Sequence, residues 1–277
     1  MLTILTVEDR ENSLWRKHPM AMLPVNSLKV RKGSIMNVPV RHLRYICRNG
    51  RIGGKRICRR AKEGRENLLN FSRVKVPSPK ITMFSPALYR GRMSINMAVA
   101  CLQAMHSTAR HIKVGLYDKS GDYAPVCEAF LELVGKFTVV TDNTELYEAE
   151  ARRLMWEKGA APFVSRRINS LSSCSLIIAP SAVETAFSPE AEAVLLTSSP
   201  PSVGIPCRVY SRYTVKLPEI EKEWEEYVTD GELIAAGLYT LAGVYNLGSL
   251  VPLMCHSERD SQTYVSLGRH LEEHFSK

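Results

Sequence analysis

Ile112-Lys-Val-Gly-Leu-Tyr-Asp118, Phe137-Thr-Val-Val-Thr141, Pro162-Phe-Val-Ser165, Ser175-Leu-Ile-Ile-Ala179 and Ala193-Val-Leu-Leu-Thr197 decide the fold of this chain. Each run is short and almost wholly apolar, the composition of a strand covered on both faces. Between the first two lies Asp122 to Val134, expected as a helix with Pro125 tolerated in its first turn and Gly135 just past its end. Asp142-Asn-Thr-Glu145 is a capping-box-like start to a second helix that runs to Lys158 and stops at Gly159. Arg208 to Leu217 alternates apolar and polar residues and is expected as a sixth strand. Strands alternating with helices imply a parallel sheet with helices on both faces. The expected class is α/β, with a Rossmann-like domain over residues 90–217.

Outward from that domain, Pro218 opens an acidic helix over 219–227, and Thr229-Asp-Gly-Glu232 caps an apolar helix over about 231–244. An amphipathic helix over about 260–275 follows. Residues 218–277 are expected to pack back on the sheet domain. Leu233 to Cys255 is 23 residues without a charge, nominally long enough to span a bilayer. Its Gly237, Gly243, Gly248, Asn246 and Pro252 argue instead for a buried helix and a turn, so no transmembrane segment is expected. On the other side, Arg92 to His106 has apolar residues at helical spacing and leads into the first sheet strand. Residues 1–89 are harder to read. Leu2–Val7 is expected as a strand, 10–37 as irregular, and Phe71–Val76 and Ile81–Phe84 as short strands around Pro77-Ser-Pro79.

Charge separates these regions. Met1 to His111 carries 22 Lys/Arg against 5 Asp/Glu, whereas Ile112 to Lys277 carries 15 against 23. The positive side is densest between Arg41 and Arg65, with ten Lys/Arg and the single acid Glu63. Arg41, Arg44, Arg48, Arg51, Lys55, Arg59 and Lys62 recur at steps of three and four, so a helix would line them along one side. The glycines at 50, 53 and 54 break that helix, which suggests helix (39–48), turn, helix (55–63). The density suits nucleic-acid phosphates, with Arg44, Arg48, Arg51, Lys55 and Arg59 as the anion-binding candidates. The second helix would begin Lys55-Arg56-Ile57-Cys58, without the short polar side chains that read bases. Backbone contact is therefore favoured over sequence reading. The competing accounts are an acidic protein or membrane surface, intramolecular docking on the acidic region, and a merely solvated face.

In open α/β sheets, ligands bind beyond the carboxyl ends of the strands. Those ends supply Asp118, Ser120, Gly121, Asp142, Ser181 and Ser199 as crevice candidates. Val114-Gly-Leu-Tyr-Asp118, Val139-Val-Thr-Asp142 and Leu171-Ser-Ser-Cys-Ser-Leu-Ile-Ile-Ala179 resemble the cofactor domains of shikimate dehydrogenase and glutamyl-tRNA reductase over about residues 112–200. That resemblance implies NAD(P) as a cofactor and an oxidoreductase. Two departures oppose it. Gly-x-Gly-x-x-Gly is absent after the first strand, where only Gly121 lies in the loop. Asp118 and Asp122 also put negative charge where the pyrophosphate would lie, and Lys119 offsets only part of it. Asp142 has two readings, a ribose-binding acid and, more simply, the N-cap of the next helix. Asp118 has a local reading too, as an acceptor for turn amides.

Other chemistry is thin. Ser120, Ser181 and Ser199 lack the Gly-x-Ser-x-Gly elbow, and no Gly-x-x-x-x-Gly-Lys-Ser/Thr loop is present. Asp118, Asp122 and Asp142 do not have the spacing of a known metal-ligand set. Seven cysteines form no Cys-x-x-Cys pair and read as reduced, mostly buried thiols of a cytoplasmic protein. Cys174 is expected to serve packing rather than attack. His270 and His274 do not frame the glutamate of a metalloprotease motif, so no metal site is expected. The start of the chain is too short and too soon acidic for a secretory signal. These features favour a non-catalytic or degenerate Rossmann-like protein over an NAD(P)-linked oxidoreductase or a nucleic-acid-binding regulator.

Overall fold

Leu2, Ile4 and Leu5 are buried almost completely, so the first strand must be covered on both faces. The computed structural model describes residues 1–9, 26–47, 52–72, 74–217, 224, 228–244 and 246–275. These form two compact units, Met1–Pro86 with Leu217–Val244 and Ala87–Lys216 with Tyr245–Lys277. Residues 218–277, expected as one C-terminal region, are thus shared between the two units.

The first unit is built on a four-stranded mixed sheet. Its strands are β1 (Leu2–Asp9), β2 (Ser27–Ile35), β3 (Val38–Cys47) and β4 (Leu68–Asn70), in the order β2-β3-β1-β4. β1 runs parallel to both neighbours, and β2 returns antiparallel on β3. One core cluster holds Leu2, Ile4, Ile35, Val40, Leu69, Trp224, Ile234 and Leu238, and another holds Leu5, Leu43, Tyr45, Cys47, Ile57, Ala61, Leu68 and Val76. Helix α1 (Gly54–Ala61) contributes Ile57 and Ala61 to the second cluster.

Three readings of this unit are corrected. Residues 39–48 were expected as a helix, but 38–47 is strand β3. Arginines three apart share a helix face, whereas in a strand an odd separation puts them on opposite faces. Residues 27–35, expected as irregular, form β2. Phe71–Val76 and Ile81–Phe84 are not strands among the described residues: pairing occurs at Leu68–Asn70, with one isolated bridge from Leu68 to Met83. The helix expected over 55–63 appears as α1 followed by a 3-10 turn at Lys62–Arg65.

The second unit carries six parallel strands. In chain order it runs α2 (Ala87–Ala104), β5 (Lys113–Tyr117), α3 (Cys127–Leu133), β6 (Lys136–Val140), α4 (Thr144–Lys158), β7 (Phe163–Ser165), β8 (Leu176–Ala179), β9 (Val194–Thr197) and β10 (Arg208–Tyr210). The spatial order is β10-β9-β8-β5-β6-β7, and every pair is parallel. Read from β7, this is the doubly wound 3-2-1-4-5-6 order of the Rossmann fold. β8 and β9 are buried at every position, as apolar runs without alternation require.

The single sixth strand expected over 208–217 is two. β10 completes the parallel sheet, and β11 (Arg212–Val215) pairs antiparallel with a later strand in a separate three-stranded sheet. The helix expected over 231–244 is α5 (Gly231–Ala236), continued by a π-type turn over Gly237–Leu241. The separate sheet is completed by β12 (Pro252–His256) and β13 (Ser261–Thr263), and helix α6 (Tyr264–Phe275) follows. The first residues of the helix expected over 260–275 are therefore strand. The acidic helix expected over 219–227 lies outside the described residues except for Trp224. Among the described residues, no helix is long and apolar enough to cross a membrane.

His42 on β3 gives the first unit a pH dependence. It is 2% exposed, bonds Thr6 Oγ1 through Nε2 at 2.8 Å, and meets the Trp224 ring edge-on at 6.4 Å. Burial, reinforced by Arg44 and Arg31, pushes its pKa down to about 4. The unfolded chain binds this proton below about pH 6.5, whereas the folded chain does so only near 4. Stability from neutral His42 is therefore complete above pH 6.5 and is lost as pH falls towards 4, by roughly 3 kcal/mol. Urea unfolding across that range should show this loss in the wild type and a shallower one in His42→Gln. Equal slopes would refute the assignment.

Candidate crevice at the strand ends

Asp118 follows β5 directly and points its carboxylate back into its own loop. The side chain is fully buried. Its Oδ1 accepts the Gly121 amide at 3.1 Å, and its Oδ2 accepts the Tyr123 amide at 2.8 Å and the Tyr147 hydroxyl at 2.6 Å. Ser120 Oγ lies 3.4 Å from Oδ1 and 2.5 Å from Asp122 Oδ2. A buried carboxylate persists only when donors replace its water, and this loop supplies them. Burial, then the Asp118 carboxylate, drives the Tyr147 phenol far above its ordinary range, so the hydroxyl remains a donor.

The loop conformation depends on Gly121. Its φ of +92° lies in the left-handed region, and a Cβ there would come within 3.0 Å of Leu146 Cδ2. The path onward is a 3-10 turn over Ala124–Val126 before the seven-residue α3, which shortens the helix expected over 122–134. In a dinucleotide-binding loop, backbone amides point at the pyrophosphate. In this loop two amides are turned onto an internal anion.

Asp142 is corrected as a cap. Helix α4 begins at Thr144, its N-cap position is Asn143, and no side-chain capping bond forms there. Thr141 Oγ1 instead accepts the Asn143 amide at 3.0 Å. Asp142 is exposed, and its amide donates to the Lys119 carbonyl at 3.3 Å. Asp118, Ser120, Gly121 and Asp142 therefore belong to one linked pair of loops. Ser181 and Ser199 belong to another, after β8 and β9, where the Thr197 hydroxyl lies 3.3 and 3.2 Å from their carbonyl oxygens.

The switch point of the sheet falls between β5 and β8, and helix α2 runs past it. A Cβ on Gly91 would sit 2.6 Å from the Pro180 carbonyl oxygen and 3.1 Å from the Tyr123 hydroxyl. The helix backbone thus lies against both rims of the crevice. A cleft of about 730 Å³ opens elsewhere, beside β10, between Pro200, Ile205 and Val209 on one side and Glu258, Arg259 and Asp260 on the other. Cys174 is buried, and desolvation pushes its thiol up to about 11, which suits packing rather than nucleophilic attack.

The basic candidates divide as well. Arg44 is held by Glu8 through two hydrogen bonds of 2.5 and 3.0 Å across the β1–β3 pair. Arg41 is buried and donates to the Ala61 carbonyl at 2.9 Å, satisfying the carboxyl end of α1. Lys55 and Arg59 are exposed on α1. Arg48 and Arg51 lie outside the described residues.

Reasoning from sequence missed Tyr147 and Gly91. Tyr147 is 29 residues from its partner, and its only signal was an aromatic on the inward face of a helix. Replacing Asp118 with Ala strands two loop amides and a phenol, so we expect a loss of about 3 kcal/mol or more in urea unfolding. Tyr147→Phe removes one donor from a buried anion and should lose about 1–3 kcal/mol. Two variants as stable as the wild type would show that this network does not hold the loop.

No protein-family model matches the chain, and no curated protein does so. Among solved structures, the chain is similar to L-tryptophan dehydrogenase from Nostoc punctiforme, with 10% identity over 85% of this chain and 67% of that one. The TM-score is 0.27, so the strand order above stands on its own hydrogen bonding rather than on that likeness.

Proposed function

We propose that this chain is a non-catalytic, Rossmann-like binding or interaction protein whose dinucleotide loop is closed by its own side chain. The observation that carries the reading is the Asp118 carboxylate, bonded to the Gly121 and Tyr123 amides and to Tyr147. A pyrophosphate entering this loop would have to displace a buried carboxylate and lie beside the negative charge of Asp122. A second negative charge beside the buried Asp118 carboxylate disfavours the complex. Gly91 against Pro180 and Tyr123 leaves little room at the switch point, which supports the same reading. NAD(P)-linked oxidoreductase chemistry is the alternative that the closed loop disfavours. Small ligands would have the cleft beside β10 available instead.

Thermal unfolding with NAD⁺, NADH, NADP⁺ and NADPH at millimolar concentration tests the proposal. We expect no upshift. A rise of more than about 2 °C with any of the four would overturn it in favour of the oxidoreductase.

A second reading rests on a separate observation in the first unit. Lys55, Arg59, Arg60, Lys62 and Arg65 are all exposed on α1 and the turn after it, and no ion pair among the described residues engages them. Five exposed cations along a short surface, against the acids Glu63 and Glu66, suit the phosphate backbone of a nucleic acid. Binding of a mixed-sequence DNA duplex should then weaken steeply with salt. Lys55→Glu with Arg59→Glu should lower both affinity and salt slope relative to the wild type. An unchanged slope in the double variant would remove α1 from the interface.

A further inference from the structure

His270 and His274 lie one turn apart on α6, the i and i+4 spacing that places two side chains on one helix face. Glu192 reaches the same place from the turn before β9, 78 residues earlier. His270 Nε2 lies 2.8 Å from the Glu192 carbonyl oxygen and 3.8 Å from its carboxylate oxygen Oε2. His274 Nε2 lies 4.0 Å from that same oxygen, and the two imidazole centroids are 4.6 Å apart. One ligating atom from each of the three residues falls within 4.8 Å of the others.

We propose that Glu192, His270 and His274 form a binding site for a divalent transition metal of the zinc class. Two imidazoles and one carboxylate are a donor set that zinc accepts, with an open position for water or a further ligand. Imidazole donors select such ions over magnesium and calcium, which prefer all-oxygen shells. Zinc bonds of about 2.1 Å in tetrahedral geometry place donor atoms about 3.4 Å apart. On binding, the Glu192–His pairs must therefore close by about half an ångström, and the widest donor pair, within 4.8 Å, by as much as about 1.4 Å. Glu192 and His274, at 43% and 42% exposed, have room to move. His270, at 12%, is the most enclosed of the three, and to ligate through Nε2 it must give up both that nitrogen's proton and its bond to the Glu192 carbonyl.

Arg208 donates to Glu192 Oε2 at 2.7 Å. It orients the carboxylate from outside the donor set, the arrangement in which an outer partner positions a metal ligand. It also places a positive charge beside the ion, which opposes tight binding. Removing that charge while keeping a donor, in Arg208→Gln, should tighten the site. Bound metal would join the C-terminal helix to the turn that precedes β9, inside the second unit and away from the closed loop at Asp118. The site stands independently of the function proposed above.

The test uses the full chain, stripped with chelator and titrated with Zn²⁺ against a chromophoric competitor, together with thermal unfolding. We expect one Zn²⁺ per chain and an upward shift in Tm. His274→Ala and Glu192→Gln should each weaken binding by about tenfold or more with the apo Tm unchanged. His274 is the safer substitution, because it is exposed and makes no backbone contact of the kind that holds His270. Cobalt(II) should give a ligand-field absorption spectrum that both variants lose. Failure of the wild type to retain Zn²⁺ would overturn the proposal, as would retention undiminished in the two folded variants.

Discussion

A single buried carboxylate organises the ligand edge of the parallel sheet. Asp118 leaves β5 with its amide bonded to the Val140 carbonyl of β6, and its side chain collects donors from its own loop and from α4. One residue thereby ties two strands, a loop and a helix. A charge removed from water is tolerable only when every lone pair finds a donor. The loop consequently has one low-energy path, and Gly121 supplies the left-handed residue that the path requires. In a Rossmann fold that opens on a cofactor, the same amides remain unspent until phosphate arrives. The strand order of a Rossmann fold is present, and the amides of the loop after its first strand are occupied from within.

The first unit shows the same principle with the opposite sign. Much of its positive charge reads as an interaction surface until each side chain is followed to its end. Arg41 satisfies the carboxyl end of α1, and Arg44 holds Glu8 in a forked pair across β1 and β3. Both serve the fold, whereas Lys55 and Arg59 on α1 face solvent. Charge counted along a chain cannot separate these uses, because a guanidinium that caps a helix and one that faces solvent have the same formal charge.

The parallel sheet was legible because its strands are apolar on both faces, and the alternation with helices admits few topologies. The local role of Asp118 as a turn acceptor was legible too, since the backbone amides three and five residues after a carboxylate at a strand end lie within its reach. The basic segment was misread for a physical reason. Arg41, Arg44 and Arg48 have the three- and four-residue spacing of a helix face, and nothing local reveals that 38–47 pairs with β1 and β2. Strand pairing there is long-range, and it overrides a periodicity that charged residues can show by chance. Asp142 was misread by one position, because Thr144 rather than Asn143 begins the helix.

From its own residues, then, the sequence determined the α/β class, the approximate strands of the sheet, the excess of positive charge at the front and the negative charge at the ligand edge. Those are properties of composition and short-range spacing. The tertiary structure decided which charges are spent and which remain open. Tyr147 meets Asp118, Gly91 meets Pro180, and Glu192 meets two histidines only after the chain has folded back on itself. Each of these meetings joins residues far apart in sequence, so no local pattern encodes it. Their chemistry, a closed loop and a cluster of donors, follows from proximity alone.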